Sequence, residues 1–168
     1  MAKLVFDIET SALPLDQFDE VQQEYLFREA EKLTDHDARA TRRTEIQHLF
    51  NLWPFTAQIV CIAMVNAETS RGRVLFTAKD YQPPGGETGP VEFATCTTEH
   101  ELLTAFWDVA KHYDGIVTFN GRGFDVPFVY LRSAISNVPI SRKDWLGYRF
   151  QVEPHCDRVE WLALFRVP

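Results

Sequence analysis

The sequence predicts an α/β domain. Two patterns carry that prediction: short apolar runs rich in Val, Ile and Phe alternate with longer segments whose apolar residues recur at helical spacing, and proline- or glycine-rich stretches separate them. With 168 residues, 45% apolar and 13% aromatic, the chain can bury a sizeable core as one domain.

The first apolar run, "KLVFDI" (Lys3 to Ile8), reads as a strand in the middle of the sheet, buried there and ended by "SALP", because Pro14 cannot continue a ladder. Between Asp16 and Asn51 helix formers and mixed charge take over. Val21, Tyr25, Leu26, Ala30 and Leu33 form one stripe, Ile46, Leu49 and Phe50 a second, and "TDHD" supplies capping residues at Thr34 and Asp35. This predicts a helical pair inserted at about 16–52, its charges, Arg42 and Arg43 included, forming a solvated face. "QIVCIAMV" (Gln58 to Val65) and "GRVLFTA" (Gly72 to Ala78) are the next strands. "KDYQPPGGETGP" is a loop. "TTEHELLTAFWDVAKHY" is a helix capped by Thr97 or Thr98, with Leu102, Leu103, Phe106, Trp107 and Ala110 on its apolar face. "GIVTFN" is a fourth strand and "GRG" a tight turn. "FDVPFVYLRSAIS" is a helix that tolerates Pro127 only in its first turn. "HCDRVEWLALF" is the candidate fifth strand.

A net charge of −7 argues against binding nucleic acid through a broad basic face, since that affinity comes from Lys and Arg at phosphates. It leaves room for a nuclease whose positive charge is a bound cation. No apolar run approaches the roughly 18 residues of a membrane span, and the N-terminus lacks a leader pattern, so a soluble, cytoplasmic protein with no membrane partner is expected. Cys61, Cys96 and Cys156 are widely spaced and odd in number, which predicts reduced thiols rather than disulfides or a structural zinc.

Asp7 and Glu9 are two residues apart in the first strand and therefore share a face. Two adjacent carboxylates repel, and a buried strand adds desolvation, so a divalent cation is the natural compensation. Hard oxygen donors suit Mg²⁺ or Mn²⁺. A lone D-x-E pattern is nonetheless weak by itself. In "TFNGRGFD", Asp125 follows a strand and a glycine turn at a helix start, placed either to reach a ligand or simply to cap the helix.

Taken together, "FDIET" and "TFNGRGFD" resemble the first two motifs of the DEDD-type 3′–5′ exonucleases, which have an RNase H-like fold. The resemblance is closer to the predicted 3′–5′ exonucleases related to the exonuclease domain of B-family DNA polymerases. "IVTFNGRGFDVPFVYLRS" looks like that family's second motif, and "HCDRVEWL" is similar to its later H-x-D-L segment. The resemblance implies an RNase H-like mixed sheet of about five strands flanked by helices, with the helical insertion after strand 1. It implies Asp7, Glu9 and Asp125 as carboxylate ligands of two divalent ions, Mg²⁺ or Mn²⁺, which clamp a scissile phosphate in an in-line displacement. Thr10, Asn120 and Phe124 would hold the 3′-terminal nucleotides, Phe124 by stacking and Asn120 by hydrogen bonding. A buried core ring is the competing reading of Phe124.

The family carries a fourth carboxylate four residues after a Tyr or His, on a helix beyond the H-x-D segment. No such pattern follows "LALFRVP", which predicts a C-terminus truncated before that helix and an impaired activity. Exposed apolar surface there would favour a homodimer or a partner chain. As resident substitutes, His155 and Asp157 are expected to be structural, and Glu153 and Glu160 are weaker candidates. The leading expectation is a metal-dependent 3′–5′ exonuclease acting on single-stranded DNA in preference to RNA. The alternatives are a non-catalytic nucleic-acid-binding or assembly module, and a hydrolase of nucleotides or other phosphoesters.

Overall fold

The computed structural model describes residues 2–81, 89–147 and 153–159. The chain divides into two compact units, one of Met1–Glu9 with Ile59–Pro168 and one of Thr10–Gln58.

The larger unit is built on a six-stranded mixed sheet flanked by helices. Its strands are β1 (Lys3–Ala12), β2 (Ala57–Asn66), β3 (Gly72–Thr77), β4 (Val91–Cys96), β5 (Gly115–Thr118) and β6 (His155–Asp157), in the order β4-β3-β2-β1-β5-β6. β1 pairs parallel to β5 with Val5 opposite Val117, and β5 pairs parallel to β6 with Thr118 opposite Asp157. β2 and β3 are antiparallel, and β3 runs parallel to β4. The predicted mixed sheet flanked by helices is thus present.

β1 lies inside the sheet as expected, but only one of its faces is buried. Leu4, Phe6 and Ile8 are almost fully covered, while Val5, Asp7 and Glu9 on the other face are exposed. The desolvation anticipated for the carboxylate pair therefore falls only lightly on it. The strand also runs four residues past Ile8.

The covered face packs on α3 (Glu99–Ala110), whose Leu102, Leu103, Phe106, Trp107 and Ala110 are buried. The Phe106 ring lies 5.3 Å from Phe6, and Trp145 closes the cluster at 5.9 Å from Phe6 and 5.4 Å from Trp107. Burial of these rings removes a large apolar area from water and contributes favourably to the stability of this unit. Of the two predicted caps, Thr98 is the one used: its hydroxyl accepts from the Glu101 amide. α4 (Asp125–Ile135) holds Pro127 in its first turn, where no helical N–H is lost. Arg132 of α4 and Glu99 of α3 form an almost fully buried ion pair, and Glu99 also accepts from the Ile59 amide at 2.8 Å.

The sheet has six strands where about five are expected, and the additional one is β4. It is an edge strand in which only Cys96 is buried and Phe93 is exposed, so it lacks the alternation by which a half-buried strand is recognised. β6 occupies the predicted fifth-strand segment; Glu160 and the rest of "EWLALF" lie outside the described residues. The three cysteines are free thiols, Cys96 buried and the other two partly so.

The smaller unit contains the predicted helical pair, α1 (Glu20–Glu31) and α2 (His36–His48). Asp19 and Gln22 form a reciprocal capping box, and Asp35 caps α2 by accepting from Ala38 N at 2.8 Å. The inward face of α1 is set by Phe27 and Ala30, whereas Val21 and Tyr25 of the expected stripe are exposed. Phe27 packs on Phe50 at 5.9 Å. Among the described residues no helix is long and apolar enough to cross a membrane.

Candidate active site

The β1 alternation sets Asp7 and Glu9 side by side on one open face. Asp125 reaches the strand between them: its Oδ1 accepts from the Ile8 amide at 3.0 Å across 117 residues of sequence. The plain helix-cap reading is thereby overturned. The residue at the cap position is Phe124, which makes no side-chain capping bond, and the Asp125 carboxylate turns away to β1.

Asp125 is only 3% exposed. Burial pushes its carboxyl up from 3.8 to about 6; the Asp7 and Asp157 charges push the same way, against the stabilising Ile8 N–H. Cys61 of β2 borders the same group. Its thiol is raised first by burial and then by the negative charges of Glu9 and Asp7, which keeps it protonated and unreactive. No sequence pattern marks that neighbour.

The donor set suits a hard divalent cation: three carboxylates, two on one strand face and a third drawn against the backbone between them. Among the described residues, however, no three Asp, Glu, His or Cys side chains converge as a ready-made metal cluster.

The turn between β5 and α4 carries the other predicted residues. Asn120 is exposed and adopts a left-handed φ of 60°, which Asn tolerates better than most residues. Its carbonyl accepts from the amides of Gly123 and Phe124, both at 3.1 Å. Gly121 is required by space, since a Cβ there would sit 2.4 Å from Thr118. Phe124 is half-buried, its ring 5.2 Å from that of Phe128, so it joins the core at one edge and faces outward at the other. Thr10 belongs to the helical unit, where its hydroxyl donates to the Asn51 carbonyl at 2.6 Å.

His155 and Asp157 direct their polar atoms to partners within the protein, which suits the expected structural role better than that of a substitute ligand. His155 is buried. Its Nδ1 faces the Trp145 carbonyl at 3.1 Å, so Nδ1 carries the proton, and its Nε2 lies 2.7 Å from the Thr118 hydroxyl. Asp157 accepts from the amides of Asn120 and Arg122, each at 2.8 Å, and of Val159 at 3.1 Å. Glu153 is exposed.

Known proteins match parts of this chain in sequence. The model of the family described as predicted 3′–5′ exonuclease related to the exonuclease domain of PolB matches residues 55–167, which include Asn120, Phe124, Asp125, His155 and Asp157 and leave Asp7, Glu9 and Thr10 outside. DNA polymerase 1 of Saccharolobus solfataricus is 28% identical over 75 residues, 45% of this chain and 8% of that polymerase. DNA polymerase 1 of Sulfurisphaera ohwakuensis is 44% identical over 39 residues, 23% of this chain and 4% of that polymerase. The chain thus matches under a tenth of the length of these curated relatives. The family B DNA polymerase of Pyrobaculum calidifontis superposes at a TM-score of 0.44 with 19% identity, over 86% of this chain and 12% of the polymerase. Because the family model spans well over half of its residues, the chain belongs to the predicted 3′–5′ exonucleases related to the exonuclease domain of B-family DNA polymerases.

Proposed function

We propose that this protein is a divalent-metal-dependent 3′–5′ exonuclease that shortens single-stranded DNA, working in the cytoplasm with two Mg²⁺ or Mn²⁺ ions. The observation that carries the reading is the Asp125 carboxylate drawn onto the β1 backbone between Asp7 and Glu9. This joins the two motifs at one point of the sheet, although they lie more than a hundred residues apart in sequence.

Asp7, Glu9 and Asp125 would hold the cations. When bound, these polarise the phosphodiester and lower the pKa of an attacking water. The chain's own part is to set Asp7 and Glu9 on one open strand face and to fix Asp125 through the Ile8 amide, so that one of the three proposed ligands is pre-placed. Asn120 offers a neutral hydrogen-bonding group and Phe124 a half-exposed ring to the terminal nucleotide.

The test is degradation of 5′-labelled single-stranded DNA and RNA with Mn²⁺, comparing the protein with Asp7→Ala. A ladder shortening from the 3′ end, faster on DNA and absent in the variant, is expected. An undegraded label in both would overturn the reading, and binding without shortening would identify the non-catalytic module instead.

A further inference from the structure

The turn that carries Asn120 and Phe124 is held at its base by a residue that the proposed chemistry does not use. Two of its amides, Asn120 N and Arg122 N, point toward β6 and end on the two oxygens of Asp157, each at 2.8 Å. Val159 N adds a third donor, shared with Asn120 on Oδ1 at 3.1 Å. The Asp157 side chain is 3% exposed. A buried site with three N–H donors suits a carboxylate, whose two oxygens accept them. The Arg122 side chain completes the anchorage by donating to the carbonyls of His155 at 2.7 Å and Gly147 at 3.0 Å.

The Asp125 carboxylate has a direct anchor of its own in the Ile8 amide, while the Phe124 and Val126 amides beside it join the start of α4 to the Asn120 and Gly121 carbonyls of the turn. The turn is thus held directly by Asp157, and the Asp125 carboxylate directly by the Ile8 amide. On this basis we infer that Asp157 is a positioning residue: its carboxylate fixes the turn that presents Asn120 and Phe124 to the 3′ end. The inference rests on the exonuclease reading and assigns Asp157 to holding the nucleic acid rather than the cations.

Asp157→Asn keeps the volume and puts an NH₂ group against one of the N–H donors. It is expected to raise KM for a single-stranded oligonucleotide roughly tenfold while leaving kcat within about twofold. The rise in melting temperature on adding Mn²⁺ should match that of the unmodified protein, and hydrogen exchange should accelerate at the Asn120 and Arg122 amides. A lower melting temperature with KM unchanged would show a purely structural residue and overturn the inference. Loss of the Mn²⁺ response together with kcat would overturn it too, by placing Asp157 with the cations. If the unmodified protein does not shorten the oligonucleotide, the exonuclease reading fails first and the inference falls with it. Asp157→Ser, which keeps an acceptor in a smaller volume, carries the same comparison should the Asn variant not fold.

Discussion

Replacing Asp125 by Asn removes a charge that the metal-free protein must keep in a site 3% exposed. Burial, with the Asp7 and Asp157 charges, raises this carboxyl from 3.8 to about 6, so the folded state binds the proton more tightly than the unfolded chain does. That contribution to stability is complete below the unfolded value and is lost as pH rises toward 6, after which the penalty levels off. At roughly 1.4 kcal/mol per pH unit, the full penalty by pH 7.5 is about 3 kcal/mol, and about 2 kcal/mol of it develops between pH 4.5 and 7.5. Asn keeps an oxygen for the Ile8 amide, so the variant sheds the charge without losing that bond. Urea unfolding in EDTA should therefore find Asp125→Asn more stable than the unmodified protein by roughly 3 kcal/mol at pH 7.5, with an advantage of only about 1 kcal/mol at pH 4.5. Equal differences at the two pH values, or a less stable variant at pH 7.5, would refute the reasoning.

Two further perturbations probe the scaffold. Glu99→Ala takes the buried carboxylate from the Arg132 guanidinium and the Ile59 amide, and should cost roughly 3–5 kcal/mol in urea unfolding; a cost under about 1 kcal/mol would count against this clamp. Gly121→Ala places a methyl group 2.4 Å from Thr118, so either the turn or the end of β5 must move. A loss of roughly 1–3 kcal/mol is expected, together with a changed NMR environment for His155, whose Nε2 meets the Thr118 hydroxyl; an unchanged His155 signal would show that the turn yields without disturbing β5.

How much was legible in the sequence depended on whether the signal was local. The α3 helix was readable because its apolar spacing, its Thr cap and its first-turn acids all lie within one segment, and the Asp7/Glu9 pairing follows from strand alternation alone. β4 escaped because an exposed edge strand need not alternate, and its pairing with β3 lies in another segment. The H-x-D spacing showed that His155 and Asp157 share a face, and their buried polar partners made that face structural.

By itself, then, the sequence determined the fold class, the helical pair and the residues able to supply carboxylates, because propensity, periodicity and capping act over a few residues. Only the tertiary structure decided which carboxylate does what. Asp125 became the buried anchor on β1, Asp7 and Glu9 stayed in solvent, and Asp157 was committed to the turn. Burial and backbone amides brought from distant segments set the charge state and reach of a carboxylate, and neither is encoded in its neighbours along the chain.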